Sequence, residues 1–121
     1  MEEQRRLDRE AAIAAALETE PRDKSWASPT ESSLRAAVES AVHDGAKFSV
    51  ATLNCQTSVC EMVLTASDSE ELKYVARQLA PKVVGMHSLD VLPPAPTPDG
   101  RASVTCRFFR QGYPRPDEAV M

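Results

Sequence analysis

Ala51-Thr52-Leu53-Asn54-Cys55-Gln56-Thr57-Ser58-Val59-Cys60-Glu61-Met62-Val63-Leu64 is the stretch that decides the fold. Two cysteines bracket four residues, and apolar side chains recur on both flanks. If Cys55 and Cys60 stand opposite each other, the remaining partners follow by counting. Asn54 faces Glu61, Leu53 faces Met62, Thr52 faces Val63 and Ala51 faces Leu64. Side chains alternate across a strand, so the cysteines share one face with Leu53, Met62, Ala51 and Leu64. A slip of one residue scatters that set. Opposed Cβ atoms in an antiparallel pair lie about 4.5–5.5 Å apart, a modest adjustment from disulfide distance. Closing so short a loop stabilises by about 2 kcal/mol in the chain-entropy model, and its larger consequence is a tip of fixed shape. In a reducing compartment the same two residues are small buried thiols instead. Cys106, the odd cysteine, lies on an apolar strand face and reads as a core residue.

Outward from the hairpin, residues 47–54 and 60–66 are its two strands, rich in side chains that suit a pleated surface. Upstream, Ser28 and Pro29 fit the N-cap and first position of a helix. Leu34, Ala37, Val38, Ala41 and Val42 make its apolar face, and Gly45 ends it. Residues 1–20 read as a separate helix or stalk, with a thin stripe of Leu7, Ala11, Ala14 and Leu17 and with Ile13 beside it. Residues 21–29 are the linker. Downstream, 68–80 read as a helix with Leu72, Val75 and Leu79 inward, and 82–92 as a third strand in which His87, Leu89 and Val91 alternate with Ser88 and Asp90. Four prolines between Pro93 and Pro98 argue for a stiff, exposed loop over 93–99. A fourth strand follows over 101–110, with Ala102, Val104, Cys106 and Phe108 on one face. Residues 113–121 make a frayed tail. The expectation is an α+β domain over 30–112: a four-stranded antiparallel sheet in αββαββ order, with helices on one face and an extra N-terminal helix.

Composition narrows the function classes. The 121 residues carry a net charge of −4, with basic and acidic side chains mixed along the chain, which argues against a nucleic-acid partner. No apolar run approaches the roughly 18 residues of a membrane span, so this segment does not insert. Zinc needs a second ligand pair, and His87 and Cys106 are isolated additions to Cys55 and Cys60, so no metal is expected. His43 ends a helix, where a cationic imidazole suits the dipole. No base is placed beside a nucleophile, there is no Cys-x-x-Cys pair, and the four glycines are dispersed. No cofactor and no catalysis are expected.

The stretch from Glu20 to Leu64 resembles a group of uncharacterised bacterial envelope domains. Their pattern is an acidic residue, then D-x-x-W-A, a helix, and a strand entering C-[RQ]-[ST]-x-x-C. The matching residues are Asp23, Trp26, Ala27, Cys55, Gln56, Thr57, Cys60, Met62 and Leu64, with Phe108 to Gly112 as the closing strand. Gln56 stands where that group more commonly has arginine. The resemblance implies a secreted or tethered domain with a Cys55–Cys60 disulfide, and residues 1–20 as its stalk. If a leader or anchor precedes Met1, the domain is periplasmic or envelope-tethered; otherwise it is cytoplasmic. The expected function is a non-catalytic protein-binding or assembly module of the bacterial envelope. Its contacts are the tip Gln56, Thr57, Ser58 and Val59, the proline loop and Trp26, and residues 3–20 are a possible homodimer contact. The alternatives are a cytosolic adaptor or immunity-type protein with one partner, and a metal- or thiol-dependent enzyme.

Overall fold

The computed structural model describes residues 2–43, 45, 47–67, 70, 72, 79 and 86–118. Two helices, α1 (Glu2–Thr19) and α2 (Lys24–His43), precede five strands. These are β1 (Phe48–Cys55), β2 (Val59–Ala66), β3 (Met86–Val91), β4 (Ala95–Pro96) and β5 (Ala102–Arg110). All pairings are antiparallel. The sheet runs β1-β2-β5-β3, with the short β4 also on β5. The sheet thus has five strands, one more than expected. The extra one comes from the proline loop: Ala95 pairs with Ser103 and Pro96 with Ala102. Proline lacks a ladder donor but is tolerated on an edge, where its nitrogen faces away from the neighbour. The turn back to β5 is closed by the Gly100 N–H to Thr97 O bond (3.0 Å), with Gly100 at φ +85°.

The β1–β2 register follows the cysteine count from Cys55↔Cys60 through Thr52↔Val63 and then departs from it. Val50, not Ala51, faces Leu64, because Ala51 is an extra residue between them. The reason is parity. Phe48 and Val50 are even-numbered, whereas Leu53 and Cys55 are odd-numbered, so regular alternation cannot put all four on one face. A bulge at Ala51 does so. Phe48 and Cys55 are buried in the main core, and Val50 and Leu53 pack against it.

The helix α2 covers that face. It begins at Lys24 and not at Pro29, so most of the expected linker is helical. Asp23 starts it: its carbonyl accepts the Trp26 N–H (3.1 Å) and the Ala27 N–H (2.7 Å), and its carboxylate accepts the Ser25 hydroxyl (2.7 Å). Ala27 is fully buried, which draws the first turn onto the sheet and leaves Pro29 inside the helix. Leu34, Ala37, Val38 and Ala41 face the core as their spacing predicts, but Val42 is 43% exposed. The helix expected over 68–80 lies largely outside the described residues; of its members, Leu72 and Leu79 are buried in the main core. Of the strand expected over 82–92, 82–85 also lie outside them.

The opposite face of the sheet carries a second, smaller core of Ile13, Val59 and Phe109, with Ala16 and Leu17 packed against it. α1, the extra N-terminal helix, therefore packs on the face opposite α2. The buried stripe of α1 is centred on Ile13, and Leu7, Ala11 and Ala14 are exposed. Ile13 has a large apolar side chain and alanine little area to bury, so the isoleucine decides the orientation. Of the tail expected over 113–121, residues 119–121 lie outside the described residues, and the part up to 118 is tied to the sheet. Arg115 donates to Asp90 (2.7 Å) and to both oxygens of Asp117 (2.9 and 3.0 Å), and its guanidinium lies 4.0 Å from the centroid of the Phe109 ring. Asp117 is 1% exposed. Burial is the largest single influence and acts to raise its pKa, but the hydrogen bonds and charge of Arg115, a backbone hydrogen bond and Arg9 together outweigh it and leave the pKa lowered.

Candidate functional site

Cys55 and Cys60 form the expected disulfide, with S–S 2.03 Å and Cα atoms 4.0 Å apart. The tip between them turns inward. Its backbone closes through Gln56 N–H to Val59 O (3.0 Å). The Glu20 carboxylate then accepts three donors from it: Thr57 N–H (3.0 Å), Ser58 N–H (2.9 Å) and Ser58 hydroxyl (2.5 Å). The Thr57 hydroxyl donates to Pro21 O (2.6 Å), and the Gln56 side-chain amide to Leu17 O (2.8 Å). From the sheet side, Arg110 donates its backbone N–H to Ser58 O (2.9 Å) and its guanidinium to Thr57 O (3.2 Å). Ser58 and Val59 are buried. The tip expected as a recognition loop thus holds the chain between the two helices. A short loop rich in backbone donors and acceptors needs partners once it is covered: Glu20 accepts from its N–H groups and Arg110 donates to its carbonyls.

The other expected contact, Trp26, belongs to the same junction. The Arg110 guanidinium lies 4.9 Å from the Trp26 ring centroid and 4.2 Å from that of Tyr113, and it pairs with Asp23 at 2.9 Å. Trp26 is half-buried and packs against the main core. The two hydrogen bonds from Ser25 and Arg110 lower the Asp23 pKa. A second ion pair seals the disulfide from outside. Glu31 accepts the Cys55 N–H (2.9 Å), Arg22 donates to Cys55 O (3.0 Å), and the two side chains bond each other at 2.5 Å. The Arg22 bond lowers the Glu31 pKa.

Glu20, Asp23, Trp26, Gln56, Thr57 and Arg110, taken from three separate stretches of sequence, thus meet at one junction. Sequence reading had no access to Arg22 and Glu31. The one signal for Arg22 was the charged run Glu20-Pro21-Arg22-Asp23, just where one helix ends and another starts, and Glu31 had none.

Cys55 and Cys60, bonded to each other, are not thiolate ligands in this state. Cys106 is buried, and burial pushes its thiol up to about 12. His43 ends α2, and the side chain of His87 lies outside the described residues. Unfolding without reductant should expose one titratable thiol per chain, that of Cys106; three would contradict the disulfide.

An apolar groove of about 530 Å³ opens elsewhere, between the last turns of α2 and the outer strand β1. Val38, Val42, Phe48 and Val50 line it, and Arg35, Glu39 and His43 stand on its helical rim.

Comparison with known proteins finds no matching family model, no matching curated protein and no matching solved structure.

Proposed function

We propose that this chain is a non-catalytic binding or assembly module of the bacterial envelope, and that it engages a protein segment through the groove between α2 and β1. The observation that carries this reading is where apolar surface remains available. The hairpin tip is engaged by its own chain, whereas Val42, on the core stripe of α2, is left 43% exposed beside an open strand. Aliphatic floors next to a sheet edge suit an extended segment carrying aliphatic side chains. The compartment is part of the same reading. A disulfide persists where thiols are oxidised, which points to an oxidising compartment; the periplasm or a tethered position in the envelope is our choice among these. No described helix is long and apolar enough to cross a membrane. The protonated, buried thiol of Cys106 gives a thiol-enzyme reading little support.

A photo-crosslinking side chain placed at Val42 in the native host should yield a protein adduct, and one placed at Thr57 should yield none. Adducts from Thr57 alone would overturn the choice of surface.

A further inference from the structure

Resting on that reading of the groove, we infer that its occupant is a second copy of this chain, joined through antiparallel pairing of the two β1 edges. Cys55↔Cys60 is a narrow pair, so the N–H and C=O of Cys55 point away from β2. Those groups are taken by Glu31 and Arg22, which close the strand end against any further neighbour. Leu53 lies two residues earlier in the same orientation, with its N–H and C=O directed outward. Among the described residues nothing pairs with this side of β1. An open edge beside an apolar groove is a template for a strand.

The rim selects the strand. Arg35 and Glu39 stand one helical turn apart on that rim; among the described residues neither comes within ion-pair distance of an opposite charge, and Arg35 acts on Glu31 only through its longer-range charge. A rim with one charge of each sign has no preference for an acidic or a basic peptide. It is, however, complementary to itself. A two-fold axis perpendicular to the sheet sets β1 against β1 in opposite directions and brings both α2 helices side by side on the same face. Arg35 of each copy then meets Glu39 of the other, and the second copy covers Val42. Such an interface uses the same patch on both partners, as closed dimers do.

The opposite edge explains why association stops at two. Pro93, Pro94 and Pro96 border or occupy it, and Asp90 is fixed there by Arg115. Proline and charge are the usual protection of an edge strand, so the sheet does not grow in that direction.

Sedimentation equilibrium of the full chain, from low micromolar to millimolar concentration, tests the proposal. The wild type should pass from monomer to dimer. Glu39→Arg puts like charges together and should weaken the dimer about tenfold or more. Adding Arg35→Glu to it should recover the loss, while denaturant midpoints of all variants stay close to wild type. Three results would each overturn the proposal: a monomer throughout, a dimer indifferent to Glu39→Arg, or a dimer abolished by Leu7→Asp instead, which moves the contact to α1. The broader reading is separable. A monomer whose Val42 crosslink has the mass of a different protein removes the second copy and leaves the groove as a binding surface. A monomer with no Val42 adduct removes both.

Discussion

Phe109→Ala should destabilise the domain by about 3–5 kcal/mol, the largest effect expected from a single truncation outside the main core. Phe109 is 1% exposed and forms the second core with Ile13 and Val59. Removing the ring takes away most of the apolar area against which α1 packs. It also removes the face on which Arg115 lies at 4.0 Å, and with it the support for the Arg115–Asp90–Asp117 pairing. Urea denaturation measures the loss, and amide exchange along α1 shows where it falls. Amides of α1 should exchange fast in the variant while those of β2 stay protected. Leu7→Ala, at a position 46% exposed on the same helix, should change stability by less than about 0.5 kcal/mol. Equal, small effects at both positions would mean that α1 is a free stalk.

Glu20→Ala should cost about 3 kcal/mol without touching the disulfide. The carboxylate accepts three hydrogen bonds from two consecutive residues of the tip. Hydrogen bonds to a charged partner contribute about 1.5–3 kcal/mol, and donors left unpaired under cover cost about 1–3 kcal/mol each. Summing these overestimates the effect, because water enters as the connector loosens. Glu20→Gln keeps one acceptor oxygen and should recover part of the loss. The single tryptophan, Trp26, sits on Arg110 in the same junction and reports the change by fluorescence. A loss below about 0.5 kcal/mol for the alanine variant would show that water serves the tip equally well.

These two residues also mark how far the sequence could be read. The hairpin was legible because its apolar residues separate under one register, and that register holds from Cys55 to Thr52. It fails at Ala51 because parity within β1 conflicts, and only the demand to bury Phe48 shows which way the conflict resolves. The face of β5 with Ala102, Val104, Cys106 and Phe108 was legible for the same reason of strict alternation. The placement of α1 was not. Its many alanines give a pattern too weak to choose a face, and the choice rests on one residue, Ile13, meeting Phe109 nearly a whole chain away. The strand at Ala95–Pro96 was hidden because proline argues against strands in general and is acceptable only at an edge, which is a property of the assembled sheet.

The residues of the candidate site were legible singly, and the hydrogen bonds that join them to the helix connector were not. Gln56, Thr57, Ser58 and Trp26 are polar or amphipathic residues at a turn and after a helix, and such positions usually face solvent. What turns them inward is Glu20 and Arg110, charged residues that in sequence look like surface side chains. Long-range polar pairing leaves no periodic trace. The groove was hidden in the opposite way: Val42 fits the core stripe of α2 by spacing, yet it is left 43% exposed beside β1.

The hairpin tip is latched to the connector between the helices, and the α2–β1 groove is left as an open apolar surface. Hydrogen–deuterium exchange of the Thr57 and Ser58 amides tests that most directly. Both should be protected nearly as well as the amides in the centre of β2, and Glu20→Ala should release them selectively. Exchange of these two amides at the rate of an exposed loop, in the wild-type protein with its disulfide intact, would contradict it.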